Sequence, residues 1–324
     1  MGTQEISHQE DPPGLPRCCG REKGANRPSG VTGRDGKNMG TQTNTAQVID
    51  PFRITEPTLI SFSGGRTSAY MLWRVLQTHN GILPNDAVVC FANTGKEVEQ
   101  TYEFIKDCED HWNVKINWLE YLPDAPGFKV VDFGTAARNG EPFEAVIRKY
   151  SKLPNPAQRW CTGKLKITTM HKFVRSLGWE HHESDNNDFV GIRYDEPRRS
   201  AKSPLAKMPL VAAKITKADI FEFWSKQPFD LNLPVINGET VGGNCDLCFL
   251  KSLPKVVSLI REKPELATWW IKMEALIPTV ADVKKLGSGN RFRLDRPSYQ
   301  DLLNNNHNQK ELFDDGDIAC FCGD

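Results

Sequence analysis

Three stretches of this chain carry residues whose types and spacing suit chemistry. Ser61-Phe62-Ser63-Gly64-Gly65-Arg66-Thr67-Ser68 closes a short apolar run and opens a helical pattern. The paired glycines let a backbone turn sharply and approach a ligand closely. Ser63, Thr67 and Ser68 set hydroxyls beside the free N–H groups of a helix's first turn, where an anion is favoured. That is the chemistry of a phosphate cradle, with Arg66 as a mobile cation. It is not a Walker A loop, because no Lys-Ser/Thr pair follows a second glycine four residues on. Cys245-Asp246-Leu247-Cys248 is the second stretch, and two thiolates at this spacing can grip one metal or cluster. The third feature is a set of cations, Arg159, Lys164, Lys166, Arg193 and Arg198, suited to sulfate or phosphate oxygens.

The elements that must position these residues follow from the apolar pattern. A strand is expected at about Thr58–Phe62 and a helix from about Thr67 to Thr78. A buried strand follows at Ala87–Phe91 and an amphipathic helix to about Trp112. Lys115–Tyr121 alternates as a third strand, and Phe189–Ile192 reads as a fourth. Strands separated by helix-length segments indicate an α/β fold: a Rossmann-like, doubly wound, mainly parallel sheet with a C-terminal helical extension. Ligands of such sheets sit beyond the carboxyl ends of the strands. The Ser-Gly-Gly turn, Asn93-Thr94-Gly95 and Gly191-Ile192-Arg193 all fall at that rim. Pro123–Arg159 is less regular, with one short helix near Pro142–Tyr150. A helix opens at Arg159–Lys166 and runs to about Leu177, and Thr216–Asp219 has the form of a capping box. Trp269 and Trp270 are expected to pack the C-terminal helices onto the sheet.

At 324 residues, with 39% apolar and 25% charged side chains, the chain can bury a sizeable core. Acidic and basic residues balance at 41 each, so no whole-molecule field drives binding to nucleic acid or membrane. No apolar run reaches the roughly 20 residues of a membrane helix, and the polar start is unlike a signal peptide. Nine cysteines without an export signal point to thiols, metal ligands or redox chemistry in the cytoplasm. Residues 1–50 read as a disordered leader in which Met1-Gly2-Thr3-Gln4 recurs at Met39, as an extended reading frame would give. The nucleotide-binding domain is expected over 51–251 and a helical region with a cysteine-bearing tail over 252–324. Cys90 and Cys108 fall in core patterns, Cys18-Cys19 reads as incidental, and His181-His182 reads as loop.

In this order the motifs resemble the PP-loop (adenine nucleotide α-hydrolase-like) superfamily, and within it the phosphoadenosine phosphosulfate (PAPS) reductase family. The matching pieces are Ser61–Ser68; Asn93-Thr94-Gly95 with Tyr102-Glu103-Phe104; Trp160-Cys161-Thr162 with Leu165-Lys166; and Gly191-Ile192-Arg193 with Asp195, Glu196 and Arg198. Pro209-Leu210, Asp219–Trp224 and Cys245–Cys248 complete a match over about residues 55–255. The resemblance implies an adenine nucleotide (PAPS, APS or ATP) held by Ser61, Ser63, Gly64, Gly65, Arg66, Thr67, Ser68, Asn93, Thr94, Gly95, Gly191 and Arg193. Arg159, Lys164, Lys166 and Arg198 would meet the substrate anion.

Two chemistries share this fold. In the reductase reading a C-terminal thiolate, here Cys322 or Cys320, attacks the sulfur of a sulfonucleotide, its pKa lowered by cationic neighbours. In the sulfurtransferase reading ATP with Mg²⁺ adenylylates an acceptor, and only there does nucleic acid enter as a partner. A thiol or sulfur donor serves both. A third reading is a nucleotide-binding protein that has lost cleavage. The adenylylating enzymes carry Asp where Thr67 stands, which removes a candidate Mg²⁺ ligand and favours the reductase. Cys161, Cys245 and Cys248 are expected to hold an iron–sulfur cluster of the four-iron type, with zinc or a redox dithiol as alternatives. A fourth ligand could come from Cys320 or Cys322.

Overall fold

The protein is described by a computed structural model covering residues 50–179, 188–202, 207–233, 235–236, 239–240, 243, 245–277 and 290–305. The leader, Cys18-Cys19, His181-His182 and the tail with Cys320 and Cys322 lie outside the described residues. Five strands form one sheet: β1 Thr58–Ser61, β2 Ala87–Asn93, β3 Ile116–Tyr121, β4 Phe128–Val131 and β5 Asp188–Val190. Their order is β4-β3-β2-β1-β5, with β3, β2, β1 and β5 parallel and β4 antiparallel at the edge. The expected α/β architecture is present. The chain steps outward from β1 to β3 and then returns to the other side of β1. The strand order therefore reverses between β1 and β5, and a crevice opens beyond their carboxyl ends.

Helices cover both faces. α1 (Arg66–Thr78), α2 (Glu99–Trp112) and, further along the chain, Ile220 and Trp224 pack a large apolar cluster with Ile60, Phe62, Val89 and Phe91. Met170, Phe173 and Val174 meet Leu59, Cys90, Ala92 and Leu119 in a separate cluster. Burial of β2 on both faces, with only Val88 partly exposed, explains the unbroken apolar run at Ala87–Ala92. Cys90 and Cys108 are core residues, and burial raises both thiols well above the ordinary range.

Two expectations about the elements need correction. β4 falls in the stretch read as irregular, since its side chains are half or fully exposed and lack clean alternation. The helix expected over Arg159–Leu177 is composite: a wide π-helical segment, Cys161–Ile167, runs into α4, Thr168–Ser176. Such wide turns recur at functional sites.

α3 is Glu141–Tyr150, and short helices α5 (Pro197–Ser200) and α6 (Pro209–Ala212) follow β5. α7 (Lys217–Trp224) starts at the expected Thr216–Asp219 capping box. β6 (Val235–Ile236) and β7 (Glu239–Thr240) make a small hairpin. The C-terminal part supplies α8 (Leu253–Glu262), α9 (Ala267–Leu276) and α10 (Tyr299–Asn304). Trp269 and Trp270 pack α9 on Phe143 of α3, with Phe292 and Tyr299 against Trp270, rather than on the central strands. Among the described residues no helix is long and apolar enough to cross a membrane.

Candidate functional site

The side chains named from the sequence fall into two groups at neighbouring strand ends. The first lines the crevice between β1 and β5. Gly65 is the N-cap of α1, with no side-chain cap and no acidic residue in the first turn, so the helix's leading N–H groups lack an intrahelical acceptor. The Ser68 hydroxyl accepts from Ser63 N (3.1 Å), contacts Ser63 Oγ (2.9 Å) and donates to Gly65 O (3.0 Å). These bonds fold the loop back onto the first turn of α1. Gly64 adopts φ +81°, and a Cβ there would stand 2.7 Å from Thr101 Cγ2, so the turn needs glycine. Ser61 ends β1, paired with both Cys90 and Val190. Gly191 lies against the start of α1, where a Cβ would come 3.1 Å from the Ser68 Cα.

Arg193 crosses the crevice. Its Nη1 donates to Thr67 Oγ1 at 3.0 Å, its Nε donates to Asp195 at 3.1 Å, and Glu196 lies 3.6 Å from Nη2. Thr67, which stands where a carboxylate was the alternative, thus holds a guanidinium by a neutral hydroxyl. Glu196 also accepts from Arg199 Nη1 at 2.5 Å. Arg199 is buried, yet among the described residues its Nε and Nη2 have no hydrogen-bond partner. Each such donor costs about 1–3 kcal/mol until it meets an acceptor. Arg198, the expected anion contact, is exposed; the signal for its neighbour is the Glu196–Arg199 spacing of three on a turn begun by Pro197.

Arg66 also departs from expectation. Its guanidinium makes a two-pronged pair with Asp230 (2.7 and 2.6 Å) and its carbonyl accepts from Trp224 Nε1 at 3.0 Å. It anchors the loop to the segment after α7 and is not a mobile cation.

The second group surrounds the loop after β2. Asn93 is fully buried. Its Oδ1 accepts from Gly95 N and Tyr102 Oη, both at 2.9 Å, and its Nδ2 donates to Glu120 (2.8 Å) and Ala137 O (2.9 Å). That fills the amide's capacity, so the side chain brackets the loop instead of facing a ribose. Gly95, at φ +74°, packs against Gly140 where no Cβ fits. Thr94 Oγ1 lies 2.8 Å from each Glu97 carboxylate oxygen and 3.6 Å from Cys245 Sγ. Burial, with the Glu97 charge beside it, pushes the Tyr102 phenol far up, so it stays a neutral donor.

Thr94, Cys161, Lys166, Cys245 and Cys248 line one mainly apolar cavity closed by Phe143, Leu165, Phe249 and Trp270. Lys166 Nζ stands 3.8 Å from Glu97 and so belongs to this cavity. Lys164 is exposed, and Arg159 Nε donates to Pro156 O at 3.3 Å. Among the described residues no three Cys, His, Asp or Glu side chains converge on one ion. Tetrahedral zinc with bonds of about 2.3 Å needs sulfurs about 3.8 Å apart. A cluster, in which each thiolate takes a different iron, does not need its sulfurs to converge on one ion, and Cys161, Cys245 and Cys248 share the wall of one apolar cavity.

A profile of the phosphoadenosine phosphosulfate reductase domain matches residues 57–217, which span every crevice residue named above except Asp230 and Trp224. An uncharacterised nin region protein of Escherichia phage lambda is 32% identical over 207 residues, 61% of this chain and 67% of that protein. The chain belongs to the phosphoadenosine phosphosulfate reductase domain family. Through it the protein is part of the PP-loop superfamily of nucleotide-binding proteins. An uncharacterised protein of Methanocaldococcus jannaschii is 27% identical over 248 residues, 73% of this chain but 45% of its own length. The cysteine loop at 245–248 lies beyond the matched family domain.

Proposed function

We propose that the chain binds an adenine sulfonucleotide of the PAPS or APS type in the β1/β5 crevice and reduces it. The observation that carries this reading is buried Arg199, whose Nε and Nη2 have no partner among the described residues and which is linked through Glu196 and Arg193 to Thr67 at the uncapped start of α1. A helix N-terminus and a guanidinium fork both suit a tetrahedral oxyanion. With Thr67 held by Arg193, the helix start offers no carboxylate to a divalent ion, which suits a nucleotide already activated at sulfur.

In the proposed reaction the Cys322 or Cys320 thiolate attacks the sulfonate sulfur. The S–O bond to the nucleotide phosphate breaks and its electron pair leaves with the adenosine phosphate. A second thiol then attacks the cysteine sulfur, forms a disulfide and releases sulfite, and an external dithiol restores the cysteine. Cys161, Cys245 and Cys248 would hold an iron–sulfur cluster. Its chemistry there would be electrostatic, a polarisable charge near the nucleotide rim.

One observation favours the second reading, an ATP-dependent sulfurtransferase: three thiols line a cavity within the folded body and could carry sulfur without the tail. The products separate the readings. Incubated with PAPS or APS and a dithiol, the protein is expected to release sulfite in equal amount to adenosine phosphate. Pyrophosphate from ATP and Mg²⁺ with no sulfite would replace the reductase by the sulfurtransferase. Binding without either product would leave a nucleotide-binding protein.

A further inference from the structure

We infer that Lys96 is a positioning residue for the thiol cavity, clamping the loop that bears Cys245 and Cys248 onto the loop after β2. The inference rests on reading the three thiols as one sulfur-handling site. Lys96 Nζ lies 2.7 Å from Asp246 Oδ2, and both side chains are buried. Asp246 sits between the two cysteines in sequence, and its backbone N–H donates to Lys96 O at 2.7 Å. Its Oδ1 accepts from Trp270 Nε1 at 2.8 Å and from Leu247 N at 2.6 Å. Backbone and both carboxylate oxygens of this one residue are therefore fixed from three directions.

The lysine is fixed as well. Its ammonium lies 5.3 Å from the Trp269 ring centroid, its stem passes Gly140, and its own N–H is 3.1 Å from Thr94 Oγ1. Replacing a buried ion pair by apolar residues of similar volume is often neutral for stability, so stability alone is a weak reason for this one. What it supplies is direction. The turn between the cysteines cannot rotate while Asp246 is held, so the two sulfurs keep facing the cavity that Cys161 enters from the π-helical segment. Nothing in the local sequence announces the clamp, because its halves lie 150 positions apart.

A short bifunctional thiol reagent, dibromobimane, tests this in the full chain, with cross-links mapped by peptide mass spectrometry. The wild-type protein is expected to join Cys161 to Cys245 or Cys248. Lys96→Met should cut that yield about tenfold, on the scale that small displacements cost a proximity-dependent reaction, and Lys96→Arg should recover most of it. Cys90 and Cys108, wholly enclosed at 0% exposure and off the cavity wall that Cys245 (8%) and Cys248 (6%) line, report on global folding by staying unmodified. Should Lys96→Met expose them, the Lys96→Met/Asp246→Leu double variant, with its apolar pair, decides: it is expected to protect Cys90 and Cys108 yet still cross-link poorly. Undiminished cross-linking in a folded Lys96→Met or double variant would overturn the clamp while leaving the thiol site standing. No cross-link in the wild type would overturn both.

Discussion

Arg198 and Arg199 are adjacent in sequence and opposite in environment. One is exposed; the other is buried, shares Glu196 with Arg193 and keeps two donor nitrogens without a partner among the described residues. The difference predicts a clean contrast in calorimetric titration with APS. Arg199→Gln should weaken binding about tenfold, or roughly 1.4 kcal/mol, while Arg198→Gln changes it little. Equal effects would remove Arg199 from the site. Residue types and spacing were legible in the loop from Ser63 to Ser68 and in the cysteine pair. Side-chain direction was not. Arg66 meets Asp230 from 164 positions away, and Asn93 spends its whole amide on Gly95, Tyr102, Glu120 and Ala137. Such long-range partners leave no trace in a local pattern.

Among the elements, those with a continuous apolar run or a glycine turn at their end could be read from the sequence, and β1, α1, β2 and α2 are of that kind. β4 escaped because a four-residue, solvent-facing edge strand has little burial pattern to display. The C-terminal segment is another element whose role depends on contacts the sequence hides. Tyr299 Oη donates to Leu247 O at 2.6 Å and Arg296 Nη1 to Lys251 O at 2.6 Å, so this strap also holds the cysteine loop. Glu274 of α9 fastens the strap by accepting from Phe292 N (3.2 Å) and Tyr299 N (3.0 Å). Burial raises its carboxyl from 4.5 to about 6 despite these bonds. A carboxyl raised on folding binds more protons in the folded state between those two values. Its contribution is therefore most favourable below its unfolded pKa and is lost as pH rises through about 6. Wild-type stability relative to Glu274→Gln should fall by about 2 kcal/mol across that window and then level off. Parallel pH dependence of the two proteins in urea denaturation would show that Glu274 does not titrate there.

At the scale of the whole molecule the sheet order explains why distant motifs serve one place. Returning the chain to β5 beside β1 brings Gly191 and Arg193 to the Ser63–Ser68 loop. The next strand end, after β2, is given over to the cysteine loop through Thr94 and Lys96. The proposed nucleotide site and the thiol cavity fall at adjacent strand ends, a layout suited to the proposed sulfur transfer from a nucleotide. Hydrogen–deuterium exchange with and without APS tests the location of that nucleotide most directly. Protection is expected in peptides covering 61–69 and 190–199, with the β4 edge unchanged. Protection that spares both crevice segments while APS is bound would contradict the assignment of the β1/β5 crevice as the nucleotide site.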